Sequence, residues 1–184
     1  VKERSIKMLK IQVPSWEENK ELYLQRINTF TTELIISGLK CIEDNHNLEE
    51  AREEQIHQVD SVLRQNHFPI VIGGGHETAL GNFLAFVKNY KKIGIINLDA
   101  HFDLRQPTPI STSGTPFYEM SEYCKQHDIL FNYMPIGIQE LGNTTALFAR
   151  AEKLNVNFIL ADEIHFNLNL TLDKIREYIA QFDA

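Results

Sequence analysis

The chain has 184 residues, a net charge of -7 and a hydrophobic fraction of 43%, which are typical of one soluble globular domain. The acidic balance and the lack of a basic stripe argue against nucleic-acid binding. No apolar run approaches the roughly 20 residues of a membrane helix, and the start of the chain lacks the apolar segment of a signal peptide. Cys41 and Cys124 form no CxxC pair, so we expect free thiols and a cytoplasmic protein.

The first part of the chain predicts a short edge strand followed by a helix. Residues 8–13 (MLKIQV) are mostly apolar and predict the strand. Ser15 and Glu18 match a helix capping box, and apolar residues then recur at roughly helical spacing through Ile35. We therefore predict a helix from Ser15 to about residue 37.

Strands and helices alternate over the rest of the chain. The predicted strands are residues 68–72, 93–98, 134–138 and 156–161. The predicted helices are residues 47–66, 78–89, 116–126, 143–154 and 171–182. This alternation predicts an α/β fold with a mainly parallel sheet, and no linker divides it into further domains. Residues 104–115 form a long irregular segment rich in Pro, Ser and Thr, and such a loop in a compact domain is often functional.

The apolar run 93–98 ends in three polar residues, Asp99, His101 and Asp103. Such a run is typical of a strand that is buried on both faces of a parallel sheet. In a straight strand Asp99 and Asp103 would lie roughly 13 Å apart. If all three are ligands, the chain must curl after the strand or the site must hold more than one metal ion. Oxygen and imidazole ligands without a thiolate favour manganese, magnesium or zinc.

A second polar cluster follows the preceding predicted strand. Glycines 73–75 allow positive backbone dihedrals and lead directly to His76. Sites in open α/β sheets form outside the carboxyl ends of the strands, so adjacent strands would bring His76 to Asp99 and Asp103. The alternative is a hydrogen-bonded loop without metal, and two such clusters at successive strand ends argue against it.

Three motifs together resemble those of one enzyme family. GGGHE (73–77) and NLDAHFDLR (97–105) are similar to the motifs of the ureohydrolases, which include arginase, agmatinase and formimidoylglutamase. SGTPF (113–117) is most similar to the formimidoylglutamase branch. The resemblance runs from about residue 45 to the last residue, and the chain before it is atypical. It implies a three-layer arginase-like fold with a mainly parallel sheet, in a single domain over residues 1–184.

The resemblance also implies a centre of two manganese ions that activates a hydroxide for attack on an amidine carbon. By this resemblance the metal ligands are His76, Asp99, His101 and Asp103. Asp99 would bridge the two ions, His76 and Asp103 would belong to one ion, and His101 to the other. Asp99, His101 and Asp103 are accordingly also the predicted catalytic residues.

The same resemblance assigns the predicted substrate-binding residues, which are Arg105, Ser113, Gly114 and Thr115. The bidentate fork of Arg105 suits a glutamate carboxylate, with an ordinary salt bridge as the alternative. For the other three residues the alternative is a plain turn. In arginases and agmatinases a proton-relay histidine precedes the glycine of this loop, whereas here the position is Ser113.

The sequence departs from the family pattern at its carboxyl end. The two remaining family ligands are aspartates of an SxDxD strand, and no such motif occurs in this sequence. We therefore expect a truncated fold that lacks the last metal-binding strand. The ligands that are present could hold one manganese ion or none.

Three functional hypotheses follow from these motifs. The first is a manganese-dependent hydrolase of linear amidines, formimidoylglutamase, which converts N-formimidoyl-L-glutamate and water to formamide and L-glutamate in histidine degradation. The second is a truncated or degenerate ureohydrolase-like domain without catalysis, acting as a binding or assembly subunit. The third is agmatinase or another ureohydrolase with a guanidine substrate. Homo-oligomers occur in the family, but no residue of this chain argues for one.

Overall fold

The computed structural model describes residues 34–36, 48–72 and 75–184. The strands in these ranges are β1 (Leu34–Ile36), β2 (Ile70–Ile72), β3 (Ile95–Leu98), β4 (Tyr133–Ile138) and β5 (Ile159–Leu160). The helices are α1 (Leu48–Arg64), α2 (Thr78–Phe86), α3 (Pro116–Gln126), α4 (Thr145–Lys153), α5 (Ala161–Phe166) and α6 (Leu168–Ile179). None of these helices is long and apolar enough to cross a membrane.

The strands pair in parallel, in two groups. β1 pairs with β2, and β3, β4 and β5 pair in that order. Parallel neighbours need long crossover connections, and the helices between the strands supply them. The predicted α/β fold with a parallel sheet is thus confirmed. Within the described ranges no backbone ladder joins β2 to β3, although the loops that follow these two strands meet.

The predicted elements from residue 47 onward are confirmed in position, with tighter bounds in most cases. The last helix begins earlier than predicted because Asn167 caps it, with its Oδ1 accepting a hydrogen bond from the Leu170 N–H at 3.1 Å. The short helix α5 was not predicted. It starts directly after β5 because the Glu163 side chain accepts a hydrogen bond from the Leu160 N–H at 3.2 Å, which shortens the predicted strand 156–161.

The prediction of a helix from Ser15 to about residue 37 is wrong at its carboxyl end. Leu34–Ile36 is a strand, and Leu34 pairs with Ile70 of β2. Isoleucine is β-branched and favours strands, and pairing with β2 outweighs the helical spacing of the apolar residues. The rest of the predicted helix, the predicted strand at residues 8–13 and Cys41 lie outside the described residues.

The main hydrophobic core contains two residues of the segment that follows β3. Phe102 and Leu104 are both 0% exposed. The Phe102 ring packs edge-on against Phe148 and Phe158, with centroid distances of 5.0 and 5.2 Å. Apolar residues at positions 102 and 104 therefore anchor this segment in the core, while Asp103 between them stays near the surface. Cys124 is a free, buried thiol in the same core.

β3 is not buried on both faces as predicted. Asn97 is buried, whereas Ile96 and Leu98 on the opposite face are 37% and 79% exposed. Over β4 and β5, Tyr178 of helix α6 belongs to one buried cluster with Ile136 and Ile159, and on β3 its hydroxyl donates to the Ile95 carbonyl oxygen at 3.3 Å, at the start of the strand. The apolar run correctly predicted a strand, but in the described part of the chain nothing covers Leu98 at the end of β3.

Candidate metal centre

The three residues of the candidate metal centre lie on loops at the carboxyl ends of β2 and β3. His76 lies just before α2, and Asp99 follows β3 directly. Asp103 has a φ of 46°, a left-handed conformation that aspartate tolerates better than most residues. This conformation is part of the predicted curl of the Asp99–Asp103 loop, and it brings both carboxylates to the same side.

The spacing of the donor atoms fits a divalent cation. His76 Nδ1 lies 2.6 Å from Asp103 Oδ2 and 3.2 Å from Asp99 Oδ2. One donor atom from each of the three residues lies within 4.8 Å of the other two. Donor atoms at right angles around an octahedral ion with bonds near 2.1 Å stand about 3 Å apart. Two carboxylates and an imidazole are also a donor set that manganese, magnesium or zinc binds.

The two carboxylates change the acid–base behaviour of His76. The hydrogen bond to Asp103 is the largest cause of a raised pKa for His76, while partial burial acts in the opposite direction. The charges of Asp103, Asp99 and Glu77 also raise this pKa. A cation at this site would take the place of the proton between His76 and the carboxylates, because metal ligation requires the neutral imidazole.

His101, the fourth predicted ligand, lies on the other side of Asp99. Its Nδ1 is 3.4 Å from Asp99 Oδ1, whereas Asp99 Oδ2 faces His76. The His101 side chain is 52% exposed and is not part of the cluster formed by the other three residues. The structure thus brings three predicted ligands together and places the fourth beside the shared carboxylate. A role of His101 toward a second ion stays a prediction.

Two side chains outside the sequence motifs hold the backbone of the Asp99–Asp103 loop. Asn143 accepts a hydrogen bond from the Phe102 N–H at 3.1 Å and donates one to the Ala100 carbonyl oxygen at 2.8 Å. The Tyr133 hydroxyl donates to the Phe102 carbonyl oxygen at 3.0 Å. Both lie at least 30 positions after the loop, and no motif or spacing in the sequence indicated these contacts.

Arg105 lies beside the turn that contains the other three predicted substrate-binding residues, Ser113, Gly114 and Thr115. The backbone N–H of Arg105 donates a hydrogen bond to the Gly114 carbonyl oxygen at 2.9 Å. A Cβ on Gly114 would lie 3.3 Å from Arg105 Cδ, so the glycine makes room for the arginine side chain. Arg105 is exposed and forms no ion pair with any residue that the structure describes. The salt-bridge alternative is therefore not found in that part of the chain.

The turn after Arg105 is held by its own hydrogen bonds. The Thr115 hydroxyl donates to Glu119 Oε1 at 2.6 Å and accepts from the Thr112 N–H at 2.9 Å. Thr115 is buried, whereas Ser113 is exposed. The Thr115 side chain thus shapes the loop from inside, and Ser113 and Arg105 are the members of the predicted set that face solvent. Substrate binding by this loop stays a prediction.

Comparison with known proteins identifies the family of this chain. The model of the arginase family matches residues 8–183. The chain belongs to the arginase family. This confirms the resemblance that the GGGHE, NLDAHFDLR and SGTPF motifs indicated.

Curated relatives within the arginase family are named formimidoylglutamase. The protein of Clostridium tetani is 38% identical over 148 residues, which cover 76% of this chain and 44% of the relative. The protein of Hahella chejuensis is 43% identical over 118 residues, which cover 61% of this chain and 36% of the relative. This arginase-family chain therefore spans less than half the length of these relatives.

Solved structures show the arginase-like fold. Trypanosoma cruzi formiminoglutamase with Mn²⁺ aligns with a TM-score of 0.64 and 24% identity, over 73% of this chain and 45% of that chain. Formimidoylglutamase from Bacillus subtilis gives a TM-score of 0.65 at 24% identity, over 74% and 43%. Arginase from Bacillus cereus gives 0.63 at 21% identity, over 73% and 51%. The expected arginase-like α/β fold is confirmed.

Proposed function

We propose that this arginase-family chain belongs to a manganese-dependent formimidoylglutamase of the cytoplasm, which acts in histidine degradation. The observation that carries the proposal is the cluster of His76, Asp99 and Asp103 at the tips of two strands. Relatives named formimidoylglutamase and a solved relative with Mn²⁺ support the substrate and the metal. They favour this function over the agmatinase and non-catalytic alternatives.

The proposed reaction breaks one C–N bond of a linear amidine. A water oxygen adds to the formimidoyl carbon, and the bond from that carbon to the glutamate nitrogen breaks. The two amidine nitrogens each gain one proton from the water, so formamide and L-glutamate are released. When bound, a divalent cation supplies Lewis-acid activation of the water. His76 Nδ1, Asp99 and Asp103 would hold the cation, and Phe117 keeps the His76 ring in place by edge-on packing at 5.3 Å.

The Asp99 carboxylate has a distinct part in this arrangement. Its Oδ2 lies 3.2 Å from His76 Nδ1, and its Oδ1 accepts the His101 N–H at 2.9 Å. Both oxygens are therefore oriented, and Asp99 presents negative charge to both sides of the site. The sequence has no SxDxD motif, so the chain offers at most four of the six ligands that the family resemblance implies.

Arg105 is the proposed recognition group for the glutamate end of the substrate. Its guanidinium is exposed, and its backbone is tied to Gly114. In the full-length native protein we expect Arg105→Leu to raise KM about 10- to 100-fold while kcat changes less, because a charge-assisted hydrogen bond is worth about 1.5–3 kcal/mol. Steady-state formamide release measures both constants.

Two further variants calibrate the Arg105 experiment. Arg105→Lys keeps the charge but loses the bidentate fork, so it should give an intermediate KM. Arg176→Leu is the matched control, because Arg176 is exposed and pairs with Asp173 on helix α6. An unchanged KM for Arg105→Leu would remove Arg105 from the substrate site.

Removal of the metal tests the proposed reaction class. Treatment of the full-length native protein with a chelator should abolish formamide release, and added Mn²⁺ should restore it. Calcium prefers more and longer oxygen contacts and should restore it poorly. The same preparation should release little urea from agmatine or arginine. Urea release faster than formamide release would favour the guanidine-substrate alternative.

A further inference from the structure

We propose that Asn143 and Tyr133 are positioning residues that clamp the Asp99–Asp103 loop in its metal-binding conformation, with Asn143 as the principal one. Neither residue belongs to the motifs on which the family resemblance depends. The inference rests on the proposed function, because it concerns the same site. It adds a cause for the curl of the loop besides the hydrogen bond from the His101 N–H to Asp99 Oδ1.

The backbone of the loop needs partners outside the sheet. The β3–β4 pairing reaches Asp99, whose N–H donates to the Ile136 carbonyl oxygen at 3.1 Å. The Ala100 carbonyl oxygen accepts from the Gln139 N–H at 3.0 Å, the chain then leaves the sheet, and Phe102 is fully buried. Buried backbone N–H and C=O groups are almost always hydrogen-bonded. The N–H and the carbonyl of Phe102 therefore need side-chain partners, and Asn143 and Tyr133 are those partners.

The amide of Asn143 is matched to three backbone groups at once. Its Oδ1 accepts from the Phe102 N–H at 3.1 Å. Its Nδ2 donates to the carbonyl oxygens of Ala100 and Gln139, both at 2.8 Å. One acceptor and two donor hydrogens are needed, and an amide side chain supplies them. Asn143 thus connects the two backbone positions on either side of His101 to the turn after β4.

Tyr133 connects the loop to the other half of the metal centre. Its buried hydroxyl donates to the Phe102 carbonyl oxygen at 3.0 Å and accepts from Asn97 Nδ2 at 3.1 Å. Its ring stacks on Phe117 at a centroid distance of 4.3 Å, and Phe117 packs edge-on against His76. One side chain therefore supports both His76 and the loop that carries the aspartates.

The clamp acts next to the strained residue of the loop. Asp103 has a φ of 46°, which is unfavourable for a residue with a Cβ and persists where the surroundings hold it. In Phe102, the residue before it, the backbone N–H forms a hydrogen bond with Asn143 and the carbonyl oxygen forms one with Tyr133. Without Asn143 the curl can relax, and Asp103 Oδ2 would move away from His76 Nδ1.

The experiment compares manganese affinity among variants of the full-length native protein. The dissociation constant for Mn²⁺ is measured by electron paramagnetic resonance, which detects free Mn²⁺. We expect Asn143→Ala to weaken binding about 10- to 100-fold, as losses of supporting contacts around metal ligands commonly do. Asn143→Asp keeps an acceptor for the Phe102 N–H but turns a carboxylate oxygen toward the carbonyl oxygens of Ala100 and Gln139, which repel it, so its affinity should also fall below that of the wild type.

Asn132→Ala is the matched control for these variants. Asn132 is half-buried at the other end of β4 and donates to the backbone oxygens of Ile93 and Leu130 at 3.1 and 3.4 Å. It should keep wild-type affinity for Mn²⁺. Urea unfolding of the metal-free proteins shows how far each substitution destabilises the fold. A purely structural role would lower stability in both alanine variants and leave the Mn²⁺ affinity of folded protein unchanged.

Tyr133→Phe provides the test if Asn143→Ala does not fold. Tyr133→Phe keeps the stacked ring and removes only the hydroxyl, and it should weaken Mn²⁺ binding about tenfold. Wild-type affinity in Asn143→Ala or, if that variant does not fold, in Tyr133→Phe would overturn the proposal, as would equal weakening by Asn132→Ala. Absence of Mn²⁺ binding in the wild type would overturn it together with the metal site. Tight Mn²⁺ binding without formamide release would contradict the proposed function alone.

Discussion

Replacement of Asp99 by Asn should abolish manganese retention and lower kcat/KM for formamide release at least about 1,000-fold, or about 4 kcal/mol. Asp99 presents one oxygen to His76 at 3.2 Å and the other toward His101 at 3.4 Å. The amide has nearly the same shape but no negative charge, and one of its two polar atoms is a donor that cannot bind a cation. The change therefore removes charge from the shared position of the site and leaves its packing intact.

Metal content by elemental analysis and formamide release, both on the full-length native protein, measure the effect of Asp99→Asn. Asp173→Asn is the matched control, because Asp173 is exposed and pairs with Arg176 on α6. The control should retain manganese and full activity. Equal activity in wild type and Asp99→Asn would show that the reaction does not use this site.

Replacement of Phe102 by Ala should destabilise the protein by about 3–5 kcal/mol. Phe102 is completely buried, and its ring packs edge-on against Phe148 and Phe158. The substitution leaves a cavity and also releases the loop between His101 and Asp103. We therefore expect manganese affinity to fall together with stability.

The free energy of unfolding, obtained from urea titration, measures this loss. Phe68→Ala is the control, because Phe68 is 74% exposed in the described structure and its truncation should change stability by no more than about 0.5 kcal/mol. A loss below about 1 kcal/mol for Phe102→Ala would contradict the view that this side chain anchors the loop in the core.

The parts of the fold that depend on local pattern could be predicted from the sequence. The apolar run at 93–98 predicted β3, and the capped, periodic segment at 47–66 predicted α1 (Leu48–Arg64). The end of the first predicted helix was wrong because β1 forms by pairing with β2, a contact between residues 36 positions apart. Helical spacing does not reveal such long-range pairing.

The exposure of Leu98 shows a second limit of the same kind. An apolar strand sequence predicts that both faces can be buried, but the cover has to come from other elements. Helix α6 packs on Ile136 of β4 and contacts β3 at Ile95, whose carbonyl oxygen accepts from the Tyr178 hydroxyl, but Leu98 at the end of β3 stays 79% exposed. The burial of a strand is thus a property of the assembled layers rather than of the strand's own residues.

The sequence predicted that His76, Asp99 and Asp103 lie together, but not which side chains support their loops. The separation of Asp99 and Asp103 along a straight strand predicted either a curl or a site with more than one metal ion. The structure shows a curl, with Asp103 in a left-handed conformation. The hydrogen bonds that Asn143 makes to the loop leave no periodic trace in the sequence. The burial of Thr115 was equally hidden, because its partner Glu119 lies on the following helix.

The most direct test of the account is anomalous diffraction at the manganese edge from crystals of the full-length native protein grown with Mn²⁺. We predict an anomalous peak about 2.0–2.2 Å from His76 Nδ1 and from a carboxylate oxygen of both Asp99 and Asp103. A peak elsewhere, or no peak at these three residues in crystals of protein that releases formamide, would contradict the proposed metal centre.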